Sequence, residues 1–145
     1  MRSHPPEVRY SSRVTSEDAR PAVLDIESTA PGYGTHLPFQ LILQRCAVAW
    51  RAFLRETPGF EDGVDGVIVP HVSADFFAEV RVGSVEIAVT VVAVRTSSFR
   101  VRCDVVQDDK VCARVDVALV SFDYERGAAV PLSHRQREGL ARARE

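Results

Sequence analysis

The apolar positions of this chain change period twice, and each change marks an element. At residues 22–28, Ala22, Leu24 and Ile26 alternate with Val23, Asp25 and Glu27, the two-residue period of a strand, which stops at the loop Pro31-Gly32-Tyr33-Gly34. Beyond that loop the period lengthens. Ile42, Cys46, Ala49, Trp50 and Phe53 recur at helical spacing, Pro38 suits the first turn, and Pro58-Gly59 stops the run. The pattern predicts one long helix of about 18 residues, roughly 27 Å at 1.5 Å per residue, with Trp50 and Phe53 in the core.

From Gly66 to Tyr124 the period returns to two. Val67–Arg81, Ser84–Arg95, Ser98–Gln107 and Val111–Tyr124 read as strands, and the breaks at Val82-Gly83, Ser97 and Asp108-Asp109-Lys110 are short enough for antiparallel hairpins. In the last strand Val111, Ala113, Val115, Val117 and Leu119 share one face while Cys112, Arg114 and Asp116 share the other, so one side of the sheet is buried and the other mixed. Residues 1–21 are polar and punctuated by Pro5, Pro6 and Pro21, with a brief extended candidate at Val8 to Val14, and read as a partly flexible arm. The Arg-rich end from Leu132 predicts a short solvated helix. The expected organisation is an arm over 1–21, one domain over 22–140 and a tail over 141–145. One helix and a set of long antiparallel strands bury their apolar faces most simply as an α+β layer, with the sheet wrapped around the helix. The second face and the edges of such a sheet are a physical reason to expect at least a dimer.

Composition narrows the function. The chain has 145 residues, 46% hydrophobic and 26% charged, which fits one soluble globular domain. Eighteen basic residues, all Arg except Lys110, stand against twenty acidic ones, and the net charge of -2 lacks the footprint that nucleic-acid binding needs. Cys46, Cys103 and Cys112 form no C-x-x-C pair and are odd in number, and the four histidines never stand at i, i+4, so neither a disulfide framework nor a metal site is expected. The longest apolar stretch, Val85 to Val94, contains Glu86 and Thr90 and is too short to cross a bilayer, and Met1 to Pro6 has no signal-peptide core. A cytoplasmic protein with no membrane partner is the expectation. A third glycine after Gly32-Tyr33-Gly34, a G-K-[ST] and a G-x-S-x-G are all missing, which argues against nucleotide-binding and serine-hydrolase readings.

The order strand, glycine loop, long helix and four long strands resembles the hot-dog fold. Four stretches sharpen this to the 4-hydroxybenzoyl-CoA thioesterase-like branch: F-F-A-E-V-R-V-G-S-V-E-I-A-V-T-V (76–91), S-S-F-R-V-R-C-D-V-V (97–106), V-C-A-R-V-D-V-A-L-V-S-F-D (111–123) and P-L-S-H-R-Q-R-E-G-L (131–140). The resemblance spans roughly residues 22–140. It implies thioester hydrolysis on acyl-CoA or an acyl-carrier protein, no cofactor, and a homodimer or homotetramer with sites between the helix N-terminus of one subunit and strands of its partner.

Hydrolysis of a thioester needs donors for the carbonyl oxygen and a base or nucleophile. With a helix starting near Pro38, backbone N–H groups around Gly34, Thr35, His36 and Leu37 could hold an oxyanion, and Gly32 and Gly34 let an acyl-pantetheine approach the backbone, although they serve equally to turn the chain. The acid is harder to find. Many relatives carry Asp-x-Asp-x-x-Gly before the helix; the matching segment is E-S-T-A-P-G (27–32), which puts Glu27 at the first acidic position and Thr29 at the second, the usual catalytic one. Other relatives use a helix acid, and Gln44 and Arg45 stand there. Glu27 could act as base or nucleophile, or merely hydrogen-bond the loop. Thr29, His36 or Gln44 could instead orient a water. Arg45 is similar in placement to an Arg of the hot-dog thioesterases of enediyne polyketide pathways and could anchor substrate, or be a helix surface charge.

His71, Ser73 and Asp75 share one strand face and could line a pocket, as could any polar strand face at an interface. The alternatives to a thioesterase are a non-catalytic hot-dog dimer that binds an acyl thioester or a protein and, less well supported by the residues present, an acyl-thioester hydratase or dehydratase.

Overall fold

The computed structural model describes residues 8–14, 38–61 and 66–144. The periodic segment with the long apolar stripe forms helix α1 (Phe39–Arg55), and its start and end have local causes. Pro38 stands at the N-cap with φ -64°, which the pyrrolidine ring sets in advance. At the other end the Thr57 hydroxyl donates back to the Phe53 carbonyl at 2.8 Å, Pro58 cannot continue the helix, and Gly59 turns the chain at φ +93°. Ile42, Cys46, Ala49, Trp50, Phe53 and Leu54 are the buried residues of α1, so Trp50 and Phe53 are core as their spacing predicts.

The strands are β1 (Val8–Val14), β2 (Val67–Phe76), β3 (Gly83–Val94), β4 (Ser98–Gln107), β5 (Lys110–Asp123) and the short β6 (Ala128–Ala129). They form one antiparallel sheet in the order β1-β3-β4-β5-β2, with β6 on β5. Val8–Val14, extended by pattern, is thus a full member of the sheet, paired with β3. The strand candidate at 22–28 lies outside the described residues.

Two of the three expected hairpins form. β3 and β4 close through Thr96-Ser97, with Arg95 N donating to Ser98 O at 2.7 Å. β4 and β5 close through Asp108-Asp109, both at positive φ (52° and 60°), the backbone signature of a type I′ turn. The break at Val82-Gly83 is not a hairpin, because β2 pairs with β5 rather than β3. β2 also ends at Phe76, five residues before its predicted end. Three strand spacings separate β2 from β3, roughly 14 Å, and residues 77–82 cross that distance over the end of the β4–β5 hairpin. On the way Phe77 N and Ala78 N both donate to Cys112 O of β5, at 2.8 and 3.1 Å, and Arg81 is held by Gln107 of β4.

α1 packs on one face of the sheet against β1, β3 and β4. Beneath it lie Val89, Val91, Phe99, Val101, Cys103 and Val105, all buried, continuous with Val115, Val117 and Leu119 of β5. β2 stands beyond the reach of the helix, so its core-side residues Val72 and Phe76 stay 45% and 46% exposed. A bulge at Val69-Pro70 fits an edge strand, where proline removes no ladder donor that is needed.

The C-terminal helix α2 (His134–Arg144) corrects the expectation of a solvated tail. Its Leu140 is fully buried, Gly139 meets the main chain at Pro58, and Arg137 donates to the Arg95 carbonyl at 2.9 Å. Ser133 and Gln136 cap it reciprocally: Gln136 N donates to Ser133 Oγ at 3.1 Å and Ser133 N to Gln136 Oε1 at 2.9 Å.

Candidate active site

Where the 77–82 crossing passes the start of α1, a cavity of about 320 Å³ opens. Phe39 and Ile42 of the first helical turn line one side; Phe76, Phe77, Ala78, Glu79 and Val80 line the other. Among the described residues its walls are apolar except for one carboxylate, Glu79. The rim is aromatic and open to solvent, with Phe39 56% and Phe77 58% exposed.

The chemistry available there follows from the helix. Pro38 offers no side-chain acceptor to the first-turn N–H groups, and the positive end of the helix dipole lies behind those of Phe39 and Gln40. Leu41 N already bonds Pro38 O at 3.1 Å. A carbonyl oxygen that gains negative charge would be stabilised at this end of α1. A roomier hollow of about 480 Å³ sits at the opposite end of β2, bounded by Phe60, Asp123, Tyr124 and Glu125. It lies past the C-terminal end of α1, where the dipole disfavours an oxyanion, so its size does not recommend it.

Immediately beside the first cavity, and sharing Ala78 and Glu79 with it, is a second of about 260 Å³ with a polar lining: Arg81, Gln107, Asp108 and Lys110, with Cys112. Arg81 and Asp108 form an exposed ion pair at 3.0 Å across its mouth.

Of the residues singled out by sequence, Glu27, Thr29, Gly34, Thr35, His36 and Leu37 lie outside the described residues. Gln44 is exposed and Arg45 half-buried on α1, and neither lines the cavity at the helix start. His71, Ser73 and Asp75 pair with Ala118, Asp116 and Arg114, which alternate with the buried Val117 and Val115. They therefore occupy the face of the sheet away from α1 and do not line the cavity. That face is organised by two bidentate pairs, Arg102–Asp116 and Arg114–Asp104, each with its nearest contact at 2.8 Å. Hydrogen bonding to Asp116 holds the Arg102 guanidinium above its ordinary pKa, and hydrogen bonding to Asp104 does the same for Arg114.

The three cysteines are buried, as expected of small core residues. Hydrogen bonding with Cys46, then burial, push the Cys103 thiol up, which keeps it protonated and unreactive. Among the described residues no group of three His, Cys, Asp or Glu could hold a metal ion, and no helix is long and apolar enough to cross a membrane.

Sequence reasoning missed Glu79 because it fell inside a predicted strand. The usable signal was Phe76-Phe77, two large apolar residues in succession, which breaks the alternation where the strand ends.

The comparisons with known proteins agree with this architecture. No curated protein matches the chain. Among solved structures, the dynemicin thioesterase superposes with a TM-score of 0.74 at 15% identity, covering 95% of this chain and 97% of its own. A 1,4-dihydroxy-2-naphthoyl-CoA thioesterase from Synechocystis gives 0.71 at 18% identity, covering 94% and 96%. A Thermus thermophilus thioesterase complexed with coenzyme A and Zn gives 0.74 at 20% identity, covering 94% and 98%. These likenesses establish the hot-dog fold that the sequence resembles. The family model of the thioesterase-like superfamily matches residues 17–140, and the chain belongs to that superfamily.

Proposed function

We propose that this protein hydrolyses acyl thioesters, with the acyl group in the cavity between the first turn of α1 and residues 76–80. The observation that carries the reading is that this apolar cavity lies at the N-terminal end of the helix. A thioester carbonyl set there would turn its oxygen toward the N–H groups of Phe39 and Gln40. The developing oxyanion is then stabilised more than the ground-state carbonyl, which is what lowers the barrier. Coenzyme A is the first carrier to test, since two of the solved hot-dog relatives are described in complex with it; a carrier protein is the second.

The homodimer implied by the family resemblance is supported by the exposed apolar residues Phe39, Val72, Phe76 and Phe77, which a second subunit would cover. Light scattering is expected to give two or four times the chain mass, since the resemblance implies a homodimer or a homotetramer.

The direct test is thiol release from short, long and aromatic acyl-CoAs and from an acylated carrier protein, with uptake of the thiol reagent by the protein's own cysteines subtracted. Release above the blank on at least one ester is expected. No release from any of them overturns the reading.

A further inference from the structure

The loop before α1 and the helix itself lack acids at the positions where relatives carry their catalytic carboxylate, yet the cavity has one. We propose that Glu79 is the general base of the reaction. This rests on the thioesterase reading above.

Three observations place it. Among the described residues Glu79 is the only ionisable one that lines the apolar cavity, across from Phe39 and Ile42 of the first turn of α1. It also lines the adjoining polar cavity, so the two hollows meet at Ala78-Glu79. A substrate with an apolar acyl half and a polar pantetheine half, laid across both, has its thioester at that junction. Finally, the segment that carries Glu79 is tied down on both sides. Phe77 N and Ala78 N share the Cys112 carbonyl before it, and Gln107 holds both main-chain groups of Arg81 after it. A base held to its position in this way loses little entropy when the substrate binds. Its side chain is exposed, so the attacking water reaches it.

The step is balanced as follows. The Glu79 carboxylate takes a proton from a water, whose oxygen forms a bond to the thioester carbon while the carbonyl electron pair moves onto oxygen, toward the α1 N-terminus. The tetrahedral intermediate collapses, the C–S bond breaks, and the departing thiolate takes the proton from the Glu79 carboxylic acid. Water and thioester become carboxylic acid and free thiol, with no other reactant.

The test uses the full chain and an ester that the wild type hydrolyses, comparing Glu79→Gln, Glu79→Asp and Glu27→Ala. Glu79→Gln keeps the size and polarity but cannot take a proton. It is expected to lower kcat by about 100-fold or more with KM within a few-fold and an unchanged melting temperature; Glu79→Asp restores part of the rate. A Glu79→Gln enzyme that keeps kcat within about threefold of wild type overturns the proposal while leaving the thioesterase reading intact, most directly if Glu27→Ala then abolishes turnover. A wild type inactive on every ester overturns both.

Discussion

Gln107 holds the main chain of Arg81 by both ends: its Oε1 accepts from Arg81 N at 2.9 Å and its Nε2 donates to Arg81 O at 2.8 Å. A side chain at the end of β4 here does what a neighbouring strand would do, and it fixes the crossing from β2 to β3 on which Glu79 rides. Gln107→Leu leaves a part-buried N–H and C=O without that partner and is expected to cost about 1–3 kcal/mol, read from the urea midpoint. Gln107→Glu still accepts but no longer donates, so its loss should be smaller. If the segment positions the base, both variants should also lower kcat more than they raise KM.

The contact between α2 and the end of α1 depends on a missing side chain. A Cβ on Gly139 would stand 2.4 Å from the Pro58 carbonyl oxygen, a main-chain atom that cannot swing aside. Gly139→Ala is expected to destabilise by about 1–3 kcal/mol through overpacking. Gly66→Ala has nothing within 4 Å and serves as the control, with a melting temperature close to wild type. Equal melting temperatures for the two variants would show that α2 does not dock as described.

The β4–β5 turn leaves room for improvement. Asp109 sits at φ 60°, a region that glycine enters without a steric cost. Asp109→Gly is expected to raise stability by about 0.5–1 kcal/mol, visible as a small upward shift in melting temperature. A fall would mean that the aspartate side chain contributes more to the turn than its backbone strain costs.

An alkaline dependence follows from Tyr10, whose hydroxyl donates to Glu56 Oε2 at 3.2 Å and ties β1 to the end of α1. Burial, then the Glu56 charge, raise its pKa above the ordinary tyrosine value. A raised folded-state pKa contributes stability that is fully present below the unfolded value of about 10 and is lost as pH rises through the folded one. Wild type should therefore lose stability above about pH 10 faster than Tyr10→Phe does, and parallel melting curves across that range would refute the link.

Much of the fold was legible because it is periodic. The helical stripe from Ile42 to Phe53 and the alternation along β5 placed their core residues correctly, since a side chain's face on a helix or strand depends only on its spacing. The Ser133–Gln136 capping box and Pro70 also stand in the sequence, as local marks of a helix start and an edge strand. The pairing of β2 with β5 has no such mark.

What the sequence by itself determined is the long helix, the strands that became β3, β4 and β5, the buried faces of α1 and β5, and the family to which they belong. Only the tertiary structure decided that the chain leaves β2 at Phe76, crosses the β4–β5 hairpin under the grip of Gln107, and so brings Glu79 into the same cavity as Phe39 and Ile42. Local pattern records which way a residue faces. The meeting of residues 40 positions apart depends on which strands pair, and that is settled by how the whole sheet buries its apolar face against one helix.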